Sequence, residues 1–159
     1  MNAPYAGSVA QRQAHVAHLN GLGNFDHSLT VKLRRWDRFY LLRTNFDDHK
    51  KTAEFYLRRL NSELFGHGAT RKGYCVASAV SYELGVYEDD PHLHFALESP
   101  PETPHFGQLL IEIAHKTPLL SGNIHVSKMT TPDWLSYMSK TGPDCIIYTC
   151  CSKANLPTK

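Results

Sequence analysis

The sequence predicts an α+β fold: an antiparallel sheet of about five strands, ferredoxin/RRM-like, with helices on one face and the functional residues on the other. Three observations lead there. His27-Ser-Leu-Thr-Val-Lys-Leu33 alternates apolar and polar residues, the period of a half-buried strand. Residues 47–65 instead carry Ala53, Tyr56, Leu57, Leu60 and Leu64, an apolar stripe at helical spacing. The segments interleave as strand, helix, strand, strand, helix, strand, the order of a split βαβ sandwich.

Bulk properties agree with one domain. A chain of 159 residues with 42% hydrophobic and 20% charged residues can bury a core, and a net charge of +2 announces no nucleic acid by itself. The apolar runs are too short for a bilayer, and the N-terminus has no run of the kind a secretory signal requires. Cys75, Cys145, Cys150 and Cys151 form no Cys-x-x-Cys pair, which favours reduced, intracellular thiols over a disulfide framework. No G-x-x-x-x-G-K-[ST] occurs, which excludes a P-loop ATPase.

Taken in order, residues 1–25 are weakly patterned and read as a flexible or loosely docked arm with a short helix from Ser8 to Leu19. Residues 26–159 form the domain proper. In the strand from His27 to Leu33, Leu29, Val31 and Leu33 share one face, with Ser28, Thr30 and Lys32 on the other. Arg34 to Asn45 fits either a second strand or an irregular connection, and Arg34, Arg35 and Arg38 either contact phosphate or form a solvated basic turn. Asp47 or Asp48 caps the helix that Gly66 stops at Phe65. A loop follows to Gly73.

Tyr74 to Leu84 reads as a long strand with large Val76, Val80, Tyr82 and Leu84 on one face. Cys75, Ala77, Ala79, Ser81 and Glu83 are small or polar on the other. A turn through Tyr87–Pro91 pairs it in a hairpin with the strand from His92 to Leu97. Thr103-Pro104 starts a second helix, with Phe106, Leu109, Leu110 and Ile113 inward. Gly122 to Lys128 is a strand, Thr131-Pro132-Asp133 opens a short helix running to about Lys140 and stopped by Gly142, and Cys145 to Thr149 offers a last strand. The small and polar rows leave an open face with room for a ligand and for the short helix.

On that face His92 and His94 project side by side, and two imidazoles can donate two ligands to one divalent ion. Glu83, one strand earlier, can complete a two-His, one-carboxylate set; Glu98, farther along the same face, is the alternate ligand. Such a set, with positions left for water and phosphate, suits Mn2+ or Mg2+ in phosphoryl chemistry. Tyr137 and Lys140 project from nearly the same helix face, where a cation can steady charge on a nucleophilic phenol.

In this order, His92-Leu-His94, the upstream Glu83, Gly122-Asn-Ile-His-Val-Ser-Lys128 and Tyr137-Met-Ser-Lys140-Thr-Gly142 resemble the HUH endonucleases. The likeness is strongest to the replication-initiator (Rep) proteins of rolling-circle plasmids and small circular single-stranded DNA viruses. It covers roughly Phe25 to Pro143 in element order. Ser28-Leu-Thr-Val-Lys32 matches the family's first motif only loosely. The resemblance implies that His92, His94 and Glu83 hold Mn2+ or Mg2+. It further implies that Tyr137 nicks single-stranded or hairpin DNA at an origin or element end, with Lys140 assisting.

It also implies a separate helicase and polymerase as partners, no membrane, and an intracellular location: bacterial cytoplasm, or the host nucleus for a virus. With no helicase attached, the chain reads as a stand-alone nickase or an excised domain. Two other readings stay in view. A single-tyrosine HUH transposase has similar histidines but usually a Gln near its tyrosine. A non-catalytic RRM-like module would bind single strands on exposed sheet aromatics, whereas the inferred open face is Cys, Ala, Ser, Glu and His. A histidine-triad hydrolase fails because position 96 is Ala.

Overall fold

The computed structural model describes residues 9–37, 42–85, 90–129, 133–140 and 143–158. In chain order its elements are α1 (Val9–Asn20), β1 (His27–Leu33), β2 (Trp36–Asp37), β3 (Leu42–Arg43), α2 (Phe46–Phe65) and α3 (Ala69–Lys72). These are followed by β4 (Ser78–Glu83), β5 (His92–Leu97), α4 (Phe106–His115), β6 (Leu120–Lys128) and α5 (Asp133–Met138). Two 3-10 turns, Pro143–Cys145 and Tyr148–Cys150, follow α5. Apart from the small β2–β3 ribbon, the fold is one open antiparallel sheet in the order β4-β5-β1-β6. That is the α+β arrangement expected from the sequence, with four strands rather than about five.

Strand parity sorts the side chains into two cores. Leu29, Val31, Leu33, Val80, Leu93, Phe95 and Leu97 face α2 and α4, meeting Tyr56, Leu57 and Leu60 from α2 and Phe106, Leu110 and Ile113 from α4. Tyr56 is fully buried and donates its hydroxyl to the Leu110 carbonyl at 3.0 Å, so its one polar atom costs nothing to bury. On the other face, Ala79 and Ala96 are small enough to let Leu19 of α1, Leu135 and Met138 of α5, Cys145 and Ile146 pack against the sheet. The open face thus takes the short helix α5 as expected, and α1 covers part of it as well.

Several boundaries differ from the expected ones for identifiable reasons. The N-cap of α2 is Asn45, whose Oδ1 accepts the Asp48 N–H at 3.0 Å while Asp48 Oδ2 accepts the Asn45 N–H at 2.9 Å. Asp48 thus serves as the reciprocal partner, not the cap; Gly66, at φ 88°, ends the helix at Phe65 as expected. Helix α4 starts at Phe106, because His105 takes a left-handed conformation at φ 59° and places Thr103-Pro104 ahead of the helix. The expected loop after Gly66 contains α3, and Cys75 bridges to Asn155, so β4 begins only at Ser78.

The fifth strand expected over Cys145–Thr149 is absent. Ile146 points into the α1/α5 core and Ile147 into the other, but the chain then turns at Tyr148–Cys150. Single bridges Ser81↔Ile146, Ser78↔Ser152 and Cys75↔Asn155 cover the outer edge of β4 with irregular chain instead. Within the ambiguous Arg34–Asn45 segment, Trp36–Asp37 pairs with Leu42–Arg43, and residues 38–41, Arg38 among them, lie outside the described residues. The helix expected over Ser8–Leu19 runs Val9–Asn20, and all four cysteines are free. Among the described residues no helix is long and apolar enough to cross a membrane.

Candidate metal centre

The site begins with register. In the β4–β5 ladder Glu83 faces His92 and Ser81 faces His94; in the β5–β1 ladder Lys32 faces His92 and Thr30 faces His94. Glu83, His92 and His94 therefore stand on one face, beyond the end of the Ala79/Ala96 packing. Glu83 Oε2 is 3.1 Å from His94 Nε2 and 3.4 Å from His92 Nε2. One ligand atom from each of the three lies within 4.8 Å of the other two, so this group can hold a metal ion.

Second contacts orient the imidazoles. His92 Nδ1 lies 2.9 Å from the Asp90 carbonyl, which can only accept, so Nδ1 carries the proton. Its Nε2, 3.4 Å from Glu83 Oε2, is thereby aimed into the cluster, where it can serve as a ligand. His94 Nδ1 lies 3.0 Å from Thr30 Oγ1, and a hydroxyl can either donate to that nitrogen or accept from it. His94 can thus donate Nε2–H to Glu83 or free Nε2 for a metal, with Nδ1 satisfied either way.

The charge balance fits ligand chemistry. The His94 hydrogen bond holds the Glu83 carboxyl down at about 2, opposed by partial burial and reinforced by the Lys140 ammonium. Burial keeps the His94 pKa below its ordinary value, helped by the charges of His92 and Lys140 and opposed by Glu83. The set therefore offers an ionised carboxylate and a neutral buried imidazole. His49, also buried, is committed elsewhere, between Thr44 Oγ1 at 2.9 Å and Tyr82 Oη at 3.1 Å.

Helix α5 brings the second motif to the same place. The Tyr137 ring stacks on Trp134 with centroids 5.2 Å apart and meets His94 edge-on at 5.4 Å; Trp134 meets His94 edge-on at 5.5 Å. Lys140 Nζ sits 3.9 Å from the Tyr137 ring centroid and 3.1 Å from Glu83 Oε1. Burial would lower the Lys140 pKa, but the contacts with Tyr137 and Glu83 outweigh it and raise it. Tyr137 remains 42% exposed, so it is open to solvent. Arg12 of α1 braces this helix, donating from Nη2 to the Ser136 carbonyl at 2.9 Å and to its hydroxyl at 3.2 Å.

All five expected residues, Glu83, His92, His94, Tyr137 and Lys140, are thus brought together. Glu98, the alternate ligand, is not among them: its Oε2 accepts the Asn24 N–H at 3.0 Å, where β5 has already ended. Tyr148 is also apart, its hydroxyl 2.6 Å from His15 Nδ1. Thr30, Asp90, Trp134 and Arg12 belong to the site but were given no role by the sequence. Trp134 was visible at one helical turn from Tyr137, and Thr30 on the polar row of β1; nothing local marks Arg12. No protein-family model, curated protein or solved structure matches the chain.

Proposed function

We propose that this chain is a single-tyrosine endonuclease of the HUH type. It nicks and rejoins single-stranded DNA through a covalent 5′-phosphotyrosine and so initiates rolling-circle-type replication. The observation that carries this reading is the convergence of two motifs distant in sequence: Tyr137 against His94, with Lys140 reaching from the Tyr137 ring to Glu83.

On this reading Glu83, His92 and His94 hold Mn2+ or Mg2+, which supplies charge neutralisation and Lewis-acid polarisation at the scissile phosphate. Tyr137 Oη attacks phosphorus and the bond to the 3′ oxygen breaks, leaving a 5′-phosphate on the tyrosine and a free 3′-hydroxyl. The Lys140 ammonium steadies negative charge gathering around the phenol oxygen and the phosphate. The Trp134 stack fixes the plane of the ring, so less orientation is lost at the moment of attack. The linkage conserves the energy needed to rejoin a strand later.

The test is cleavage of single-stranded and hairpin oligonucleotides with Mn2+ or Mg2+. Cutting that needs the ion and yields a free 3′-hydroxyl supports the reading. Binding without cutting would support a non-catalytic single-strand module instead.

A further inference from the structure

Glu83 is engaged through both carboxylate oxygens. Its Oε2 faces the two imidazole nitrogens, at 3.1 Å and 3.4 Å, while Oε1 is 3.1 Å from Lys140 Nζ. The Lys140 and Glu83 side chains are each 15% exposed. Lys140 is thus a resident positive charge on the one anionic ligand of the group.

We infer that Lys140 holds the place of the metal's charge and is displaced from Glu83 when a divalent ion binds. The inference rests on the reading that Glu83, His92 and His94 bind such an ion. A divalent ion on the carboxylate withdraws the charge that holds the ammonium, and it repels that ammonium directly. Lys140 Nζ already lies against the Tyr137 ring, 3.9 Å from its centroid, so release from Glu83 leaves it beside the nucleophile. Metal loading and the freeing of the assisting cation are therefore one event. Lys140 weakens ion binding, and in return its charge, already beside Tyr137, is freed from Glu83 only when the ion is in place.

Two measurements test this without reading activity. Calorimetric titration of Mn2+ into the metal-free chain compares wild type with Lys140→Met, which keeps the aliphatic stem and removes the charge. The variant is expected to bind about ten-fold more tightly, the factor that one lost competing contact of ordinary strength supplies. Because a neighbouring charge could weaken binding without being displaced, Mg2+ is titrated into wild type carrying 15N-labelled lysine. The Lys140 ammonium resonance, assigned by its absence in Lys140→Met, should move or exchange-broaden in step with site occupancy.

Equal or weaker binding by Lys140→Met overturns the inference while leaving the metal reading intact. So does a Lys140 resonance that saturating Mg2+ does not move. If neither protein takes up an ion, the metal reading falls and takes this inference with it.

Discussion

Thr30 and His94 face each other across the β1–β5 ladder with Oγ1 3.0 Å from Nδ1. A buried imidazole held at one nitrogen presents the other in a fixed direction, and that is how a ligating histidine is aimed. Thr30→Val keeps the shape and removes the hydroxyl. It should weaken Mn2+ binding by roughly 10–100-fold, the usual cost of losing such a partner, with the fold intact. Unchanged affinity in a titration would show that His94 is aimed by its packing alone.

The paired His92 and His94 make a sharper demand. His92→Ala or His94→Ala should abolish ion-dependent cleavage, and Glu83→Ala should hurt more than Glu98→Ala, since Glu98 is engaged with Asn24. Full activity in excess chelator would remove the metal from the mechanism.

The Glu83 carboxyl gives a signed pH dependence in the metal-free chain. Its folded pKa of about 2 lies below the ordinary 4.5, so its contacts stabilise the fold above about pH 4.5 and that stabilisation drains away as pH falls toward 2. Urea denaturation of wild type and Glu83→Gln should therefore show a gap at about pH 6 that narrows by about pH 3. A gap that widens in acid would reverse the sign and contradict the assigned contacts.

Helix α1 is expected to matter through α5. Leu19 is 1% exposed and packs in one cluster with Leu135 and Met138, so Leu19→Ala should cost about 2–5 kcal/mol in denaturation. Arg12→Ala removes the brace on Ser136 and should slow covalent chemistry at Tyr137 while leaving Mn2+ affinity unchanged. A matched loss of both would mean that α1 supports the sheet and not the helix.

Much of this site is legible in the sequence because strand parity is strict. Once His92–Leu97 pairs with the strand ending at Glu83, the faces of His92, His94 and Glu83 follow, and large against small residues decide which face the helices α2 and α4 take. What was not legible depends on contacts between distant segments. Thr30 meets His94 only because β1 inserts between β5 and β6, and no local pattern encodes that neighbour. Cys145–Thr149 has the apolar alternation of a strand at Ile146 and Ile147, yet both cores draw on it at a sheet edge and it turns away after one bridge. α1 offers Val16 and Leu19 as its main apolar contacts, too few to announce docking before the Ala79 and Ala96 surface beneath them is known.

Tyr137 acting as the nucleophile leaves a stable mark on the chain. Incubating the chain with Mn2+ and a single-stranded oligonucleotide it cleaves, then denaturing it, separates a covalent adduct from free protein. The adduct should map to Tyr137 and vanish in Tyr137→Phe while Mn2+ binding persists; it should be untouched in Tyr148→Phe, whose hydroxyl is engaged with His15. Lys140→Ala should slow its formation more than it weakens DNA binding, since an ammonium acting on the transition state affects rate before affinity. Cleavage undiminished in Tyr137→Phe, or an adduct on any other residue, would contradict the account.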